Sequence, residues 1–297
     1  MNLLITPLFA ELDIFFAFSW RDWSTTIIPG SIWGVGAAVT SQRPLPTALF
    51  PFPRLLIWLT LFIYIFTLTN QIVGVDEDRL NKPDRPIPSG KVTLASARAR
   101  AIVVLAAFLG IAMISPSVLP ESIGWVLMTG FLCFTAAGNH WFGKNMIGMT
   151  AGTWALLSGA WKLIHPCTPQ TRDHIVGTAL WFGLSLNLQD LRDFAGDLAT
   201  GRKTLPIVYG NLLARKIIAF FLIPSAMAVL WWWNILSIAP ASLTIAHVVL
   251  GYRVMHSAGG PRYDHKTFMF HTYIFCFIIA CLALPDFLPA VNILHLF

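Results

Sequence analysis

Three aspartates in the second half of the chain have a spacing that suits metal binding. Asp190, Asp193 and Asp197 are three and four positions apart, and Asn187 precedes them by about one turn. On an α-helix these side chains share one face, where the carboxylates repel one another unless positive partners are present. Magnesium fits, since it is commonly held by a few carboxylates together with substrate phosphates. The alternative is a helix end whose acids are solvated or paired with nearby bases: Arg192, Arg202 and Lys203.

A second polar face occurs much earlier in the chain. Asn70, Gly74 and Asp78 follow an i, i+4, i+8 pattern, and Glu77 lies beside them. Polar residues at the end of a membrane helix tend to face the bundle interior or an aqueous cavity. Two such faces can meet around an anion that is bound through metal ions, which indicates the diphosphate of a lipid. The bases available for phosphate oxygens follow the two faces: Lys82, Arg85, Arg202 and Lys203.

The elements that position these residues are membrane helices. Hydrophobic residues make up 56% of the 297 residues, the mean hydropathy is +0.67, and only 11% of residues are charged. A soluble domain carries roughly 25% charged residues. The sequence predicts an all-α integral membrane protein with nine transmembrane helices, folded as one domain over residues 1–297. The apolar runs of about 20 residues that would cross a bilayer are 24–41, 51–75, 95–114, 118–137, 145–163, 174–191, 214–235, 237–256 and 266–286.

The distribution of Lys and Arg predicts the orientation of these helices. With nine crossings, 16 of the 20 basic residues fall on the side shared by the N-terminus and the loops after even-numbered helices. Basic residues concentrate in cytoplasmic loops. Both acidic faces lie on that side, so the site is predicted to open to the cytosol. Because membrane orientation accounts for the positive charge, no nucleic-acid partner is expected, and no obligate protein partner is indicated.

The two charged segments together resemble the UbiA superfamily of intramembrane prenyltransferases. The second segment, "DLRDFAGDLATGRKTLP" from Asp190 to Pro206, is similar almost throughout to the superfamily's second Asp-rich motif. "NKPDRPIPSG", residues 81–90, resembles the stretch after the first motif, and "GKNMIG", residues 143–148, resembles the start of the fifth helix. The first motif is typically Asn-x-x-x-Asp-x-x-x-Asp, and here Gly74 stands in place of its middle Asp.

The resemblance implies nine helices around a central cavity that binds Mg²⁺ and a prenyl diphosphate. Asn70, Asp78 and the three aspartates of the second motif would form the catalytic set, and Glu77 would help where Gly74 removes a ligand. The implied magnesium ligands are Asn70, Glu77, Asp78, Asn187, Asp190, Asp193 and Asp197. The residues implied to bind the diphosphate are Lys82, Arg85, Lys144, Arg192 and Lys203.

The first segment is most similar to the fungal branch of the superfamily, which includes membrane-bound class I terpene cyclases. The resemblance therefore implies magnesium-dependent ionisation of a prenyl diphosphate, with farnesyl diphosphate as the expected substrate, followed by cyclisation and release of diphosphate. The alternative is a prenyltransferase that moves the prenyl group to an aromatic or quinone-precursor acceptor. A scaffold or a transporter is the alternative without enzymatic activity. The expected location is the endoplasmic reticulum membrane.

A cyclase needs a water-excluding cavity with aromatic walls, because desolvated ring faces stabilise a cation by about 2 kcal/mol or more. The membrane helices offer several candidates for such a wall. Each of them also fits the ordinary aromatic content of membrane proteins. The candidates are Trp33, Phe134, Trp141, Phe142, Trp154, Trp161 and Phe182.

Overall fold

Long apolar runs form helices in the part of the chain that the structure describes. A computed structural model describes residues 2–256 and 260–284, and the described residues form ten long helices, labelled α1 to α10. Their bounds are Asn2–Ser19, Ile27–Thr40, Phe52–Val73, Leu94–Ile114, Leu119–Phe134, Thr150–Lys162, Pro169–Ser185, Asn211–Trp232, Pro240–Met255 and Gly260–Ala283.

Each of the nine predicted apolar runs coincides with one of the helices α2 to α10. α2, α6, α7 and α9 have 14, 13, 17 and 16 residues, fewer than the ~20 that cross a bilayer without help from their flanks. Within the described part of the chain, five stretches are long and apolar enough to cross: Pro46–Val73, Leu94–Ile114, Pro116–Phe134, Asn211–Trp232 and Gly260–Ala283. The chain is a multi-pass integral membrane protein.

Helix α1 lies outside the predicted runs, because Glu11 and Asp13 interrupt its apolar residues. Both acids form ion pairs with bases that flank the start of α4. Glu11 lies 2.5 Å from Arg100, and Asp13 lies 2.8 Å from Lys91. The helix also packs against α3. The two acids that kept α1 out of the predicted apolar runs are therefore the residues that attach this helix to the bundle.

The core of the bundle combines aromatic rings with small residues. The rings of Phe62 in α3 and Trp125 in α5 stack with centroids 4.5 Å apart, and Trp58 packs against Phe108 of α4 at 5.9 Å. Gly159 in α6 leaves room for Trp58, since a Cβ there would lie 2.5 Å from the indole ring. Within a bilayer, helices associate through such close packing, because lipid gives no hydrophobic driving force between them.

Short helices gather at one end of the bundle and carry both charged segments. A parallel backbone bridge between His140 and Lys203 joins the residues before α6 to the second segment. This part of the molecule is called the charged end below. Its short helices are Val75–Asn81 after α3 and, after α7, Leu186–Leu191, Phe194–Ala199 and Leu205–Tyr209.

Candidate active site

A large cavity runs from the charged end into the apolar part of the bundle. Its volume is about 960 Å³, near the top of the ~300–1,000 Å³ range of small-molecule sites. Phe62 lines it and lies 11 residues before the end of α3, which is about 16 Å along the helix axis. The ionic residues that line the cavity are Arg21, Asp22, Glu77, Asp78, Lys82, Asp84, Arg85, Lys144, Arg192, Asp193, Arg202, Arg262 and Lys266.

The first charged segment presents its predicted face to this cavity. The chain passes from α3 into the next short helix at Gly74, yet backbone hydrogen bonds keep the helical register. Gly74 N donates to Asn70 O at 2.8 Å, Asp78 N to Gly74 O at 2.9 Å, and Lys82 N to Asp78 O at 2.8 Å. Asn70, Gly74, Asp78 and Lys82 consequently all line the cavity.

The second charged segment does not form the single helical stripe that its spacing predicts. Asp190 lies in the 3-10 helix Leu186–Leu191, Asp193 precedes the next helix, and Asp197 lies within Phe194–Ala199. A 3-10 helix has three residues per turn, so its face differs from that of an α-helix. The break between the two helices separates the carboxylates further, and each meets different partners.

Two acids of the mouth are paired with predicted bases. Arg85 Nη1 donates to both carboxylate oxygens of Asp78 at 2.7 Å. Lys82 Nζ lies 3.3 Å and Arg192 Nε 3.5 Å from Oδ2 of Asp193. Burial raises the pKa of Asp193, but the charges of Lys82 and Arg192 outweigh burial and lower it to about 2. Asp193 is therefore an anion at neutral pH.

Asp190 and Asn187 lie behind the cavity wall, and both are fully buried. Lys144 Nζ donates to Asp190 Oδ1 at 2.5 Å. Asn145 Nδ2 donates to Asp190 Oδ2 at 3.2 Å and to Asn187 Oδ1 at 3.0 Å. Lys144 also lines the cavity, so its ammonium connects the buried aspartate with the space where a ligand binds. Asn145 was not predicted, although it stands within the quoted "GKNMIG".

Asp197 is buried with both carboxylate oxygens unsatisfied. The residue is 1% exposed, and neither oxygen has a hydrogen-bond partner. Arg202 Nη1 is 3.8 Å from Asp197 and pairs more closely with Glu77 at 2.9 Å. Burial raises the pKa of Asp197 to about 6, against the opposing charges of Lys144 and Arg202. A carboxylate in this position is unfavourable until a cation or a proton satisfies it.

These donors fit magnesium that is shared with a phosphate ligand. Among residues 2–256 and 260–284, no three Asp, Glu, His or Cys side chains stand close enough to hold a metal ion by themselves. Mg²⁺ does not need three, because one or two carboxylates, waters and substrate phosphates usually complete its six positions. The unsatisfied oxygens of Asp197 and the cavity-lining Glu77, Asp78 and Asp193 supply carboxylates of this kind.

Asn81 joins the two charged segments and was not predicted as a site residue. Its Nδ2 donates to Asp193 O at 3.2 Å, and its Oδ1 accepts from Gly196 N at 3.1 Å. A Cβ on Gly196 would lie 2.1 Å from the Asn81 amide nitrogen, so the contact requires glycine. The sequence feature that could have identified it is its position as the Asn of "NKP", directly after the first acidic face.

Lys203, a predicted diphosphate ligand, has an exposed side chain that does not line the cavity. Its backbone pairs with the residues before α6, since Lys203 N donates to Asn139 O at 3.0 Å and Trp141 N donates to Lys203 O at 2.9 Å. Extended backbone sends successive side chains to opposite sides. Arg202 accordingly lines the cavity instead, together with the other four predicted ligands: Lys82, Arg85, Lys144 and Arg192.

The aromatic lining differs from the prediction at all but one position. Of the seven candidates, Phe182 lines the cavity. Trp33 and Trp161 pack on each other in the core at 4.6 Å, and Trp141 lies among other rings near the charged end. The outer surface of the bundle exposes Phe134, Phe142 and Trp154. The aromatic residues that do line the cavity with Phe182 are Phe16, Trp20, Trp23, Phe62, Phe66, Trp125 and Phe268.

Comparison with known proteins agrees with this architecture. The diterpene cyclase eriG of Hericium erinaceus is 55% identical over 283 residues, which cover 95% of this chain and 91% of that protein. The polyprenyl transferase eriF of the same organism is 52% identical over 277 residues, covering 92% and 96%. The structure of a UbiA homolog from Archaeoglobus fulgidus bound to GPP and Mg²⁺ has the same fold, with a TM-score of 0.62 at 14% identity, over 91% of this chain and 99% of that one.

A sequence model of the UbiA prenyltransferase family matches residues 27–284, which include all of α2 to α10 and both charged segments. The helical bundle, its cavity and the paired acidic segments at its mouth are therefore those of a family member. The chain belongs to the UbiA prenyltransferase family.

Proposed function

We propose that the protein ionises a prenyl diphosphate with the help of magnesium and cyclises the resulting cation to a diterpene, with release of diphosphate. The observation that carries this proposal is the cavity, which joins a mouth of acids and bases to an aromatic interior. A prenyl diphosphate has the same division, with an anionic head and an apolar chain. The 55% identity to an enzyme named diterpene cyclase supports the same reaction.

The basic residues of the mouth bind the diphosphate. Lys82, Arg85 and Arg192 line the cavity, and each lies beside a carboxylate that a phosphate oxygen can replace as hydrogen-bond acceptor. Lys144, from the π-helical segment Phe142–Met149 directly before α6, adds a fourth positive charge. The same donors stabilise the negative charge that develops on the leaving diphosphate. Such preorganised stabilisation is usually the largest single contribution to catalysis.

The carboxylates of the mouth would hold magnesium. When bound, Mg²⁺ neutralises diphosphate charge and makes it a better leaving group. The unsatisfied oxygens of Asp197 support this assignment, as does the homolog structure with GPP and Mg²⁺. The ligands we assign are Asp193 and Asp197 in the second segment and Asn70, Glu77 and Asp78 in the first. Asn187 and Asp190, also implied as ligands by the sequence, instead support the site from behind the cavity wall, because Asn145 and Lys144 already donate to their oxygens.

Ionisation breaks the bond between the allylic carbon and the diphosphate oxygen, and the oxygen keeps the electron pair. The cation then lies in the part of the cavity lined by Phe62, Phe66, Trp125 and Phe182, whose ring faces stabilise positive charge. A distant double bond of the same chain attacks the cation and closes a ring. Loss of a proton gives a neutral hydrocarbon. The apolar walls keep water from the cation until the ring has closed.

Geranylgeranyl diphosphate replaces farnesyl diphosphate as the proposed substrate. Diterpene skeletons are built from geranylgeranyl diphosphate, which is one isoprene unit longer, and the 55% identical relative is named for a diterpene product. The cavity volume of about 960 Å³ suits the longer chain.

Transfer of the prenyl group to an aromatic or quinone-precursor acceptor is the second candidate function. The relative named polyprenyl transferase is 52% identical, so overall similarity does not separate the two reactions. Two features favour cyclisation. The cavity interior is rich in aromatic rings, and Gly74 stands where the prenyltransferase motif has an aspartate.

We place α2 to α10 as nine membrane crossings of one domain over residues 1–297, with the charged end in the cytosol. The agreement of nine helices with nine apolar runs supports the number of crossings. The 16 basic residues on the side of the charged end support the orientation. The endoplasmic reticulum is the membrane we expect in a eukaryotic cell.

The test is an incubation of membranes that contain the full chain with Mg²⁺ and geranyl, farnesyl or geranylgeranyl diphosphate, without an acceptor. We expect diphosphate and a cyclic terpene from geranylgeranyl diphosphate, and loss of both with EDTA, Asp193→Ala or Asp78→Ala. Asp76→Ala is the matched control, because this acid is exposed and pairs with Arg79 outside the cavity. Release that requires an aromatic acceptor would establish the transferase instead. No release under any condition would contradict both functions.

A further inference from the structure

The segment between α1 and α2 forms one wall of the cavity. Trp20–Thr25 is a 3-10 helix, and every residue from 20 to 26 lines the cavity, together with Phe16 of α1. The family match begins at residue 27, so this wall comes from a part of the chain outside the matched region. The ionisation described above uses none of these residues.

Trp23 is held firmly within this wall. Its Nε1 donates to Ser19 Oγ at 3.0 Å, and that hydroxyl donates to Phe15 O at 2.8 Å. The ring of Phe16 meets the Trp23 ring at 5.5 Å and 89°, an edge-to-face contact, and also stacks on Trp20 at 6.3 Å. An indole fixed by a hydrogen bond and by a neighbouring ring presents a constant surface to whatever occupies the cavity.

The segment is anchored to α3 behind it. Gln71 Nε2 donates to Phe18 O at 2.9 Å, and the rings of Phe15 and Phe18 pack against Tyr64 at 5.1 and 6.1 Å. The two ion pairs of α1 with the bases around the start of α4 hold the same helix farther along. The wall therefore keeps a fixed position beside the cavity.

The polar residues of the segment reach the mouth. Arg21 pairs with Asp84, which also lines the cavity. Asp22 lies among the positive charges that we assign to the diphosphate: Arg85, Arg192 and Lys82. Trp23 follows directly in the chain, so the aromatic wall begins beside the place where the bond to diphosphate breaks.

We propose that Phe16, Trp20 and Trp23 form a specificity-determining wall, whose rings fix how the prenyl chain folds and which product leaves the enzyme. The inference rests on the proposed function. The branch in question follows ionisation: a cation that closes a ring and loses a proton gives a hydrocarbon, whereas a cation that adds water and then loses a proton gives an alcohol. Removing a ring from the wall removes a cation-stabilising face and admits water.

Trp23→Leu and Phe16→Leu test this wall in membranes that contain the full chain, with products separated by gas chromatography and diphosphate release measured in parallel. Phe16 is 49% exposed, so its substitution is tolerated by the fold even if that of Trp23 is not. We expect the ratio of alcohols or alternative skeletons to the main product to rise about fivefold or more, with diphosphate release within about threefold of wild type. Phe9→Leu is the matched control, because Phe9 lies on the same helix, is 65% exposed and does not line the cavity.

An unchanged product ratio in both variants would overturn the inference while leaving the proposed function intact. A marked fall in diphosphate release in both variants, with the remaining products in the wild-type ratio, would also overturn it, since the segment would then serve ionisation. If the unmodified protein released no diphosphate from any prenyl diphosphate, the proposed function itself would fail. The three results are distinguishable, because release and product ratio are measured in the same samples.

Discussion

The charge balance of Asp190 rests on one side chain. The aspartate is fully buried, and Lys144 is its ion-pair partner. Removing one partner of a buried pair costs about 3–5 kcal/mol, because the other charge stays in a site of low polarity. We therefore expect Lys144→Met to lower the Tm of the purified protein in detergent and to abolish diphosphate release.

Lys203→Met is the matched control for this substitution. Both lysines were implied diphosphate ligands, but the side chain of Lys203 is exposed and does not line the cavity, whereas Lys144 lines it. We expect its Tm to equal that of wild type and its KM for prenyl diphosphate to stay within about twofold of wild type. A KM that rises about tenfold in Lys203→Met would show that Lys203 does bind the diphosphate.

Gly74 is a position where one added carboxylate tests the metal site. Its φ of −92° suits any residue, and a Cβ there would lie 3.0 Å from Asn70 O and 4.0 Å from an oxygen of Glu77. We expect Gly74→Asp to lower the Mg²⁺ concentration that gives half-maximal diphosphate release by several-fold, because it adds an oxygen ligand at the mouth. Gly74→Ala is the control, because it adds a side chain without a charge and so distinguishes the effect of the carboxylate from that of added volume. A magnesium requirement that rises in Gly74→Asp but not in Gly74→Ala would show that the new carboxylate competes for the bases instead.

At the scale of elements, the site depends on the contact between two short helices, Val75–Asn81 and Phe194–Ala199. Gly196→Ala places a Cβ 2.1 Å from the Asn81 amide nitrogen and displaces this amide, which breaks its hydrogen bonds to Asp193 O and Gly196 N. We expect at least a tenfold loss of diphosphate release, about 1.4 kcal/mol or more, because the two sets of carboxylates no longer face one ligand. Gly110→Ala in α4 is the control, since a Cβ there meets nothing within 4 Å. Equal activity of the two variants would show that this contact does not position the site.

The sequence predicts the helices better than it predicts their faces. Apolar length locates α2 to α10, because a bilayer requires it. Which side of a helix meets the cavity depends on packing with neighbours, so Trp33 and Trp154 were candidates for the lining while Phe62 and Trp125 were not. The ionic residues were easier to predict, since charge has few acceptable places in a membrane. Even there, the 3-10 turn at Asp190 alters the face that an α-helical spacing implies.

At the scale of the whole molecule, the alternation of loops across the membrane is testable. Ser89 lies in the loop before α4, and Gln170 lies in the first turn of α7, and both are exposed. In sealed microsomes of a cysteine-free variant, we expect Ser89→Cys to react with an impermeant maleimide and Gln170→Cys to react only after detergent is added. If both react in sealed vesicles, the two loops share one side and the nine-crossing topology is wrong.

The position of the aromatic wall in the chain has a consequence for how such an enzyme diversifies. The residues to which we assign magnesium and diphosphate binding lie after residue 69, whereas the proposed wall of Phe16, Trp20 and Trp23 precedes the family match at residue 27. On these assignments, one wall of the space in which the cation cyclises is separate in sequence from the residues that ionise the substrate. A mutant library confined to Phe16, Trp20 and Trp23 would therefore sample new terpene skeletons without altering the residues assigned to ionisation.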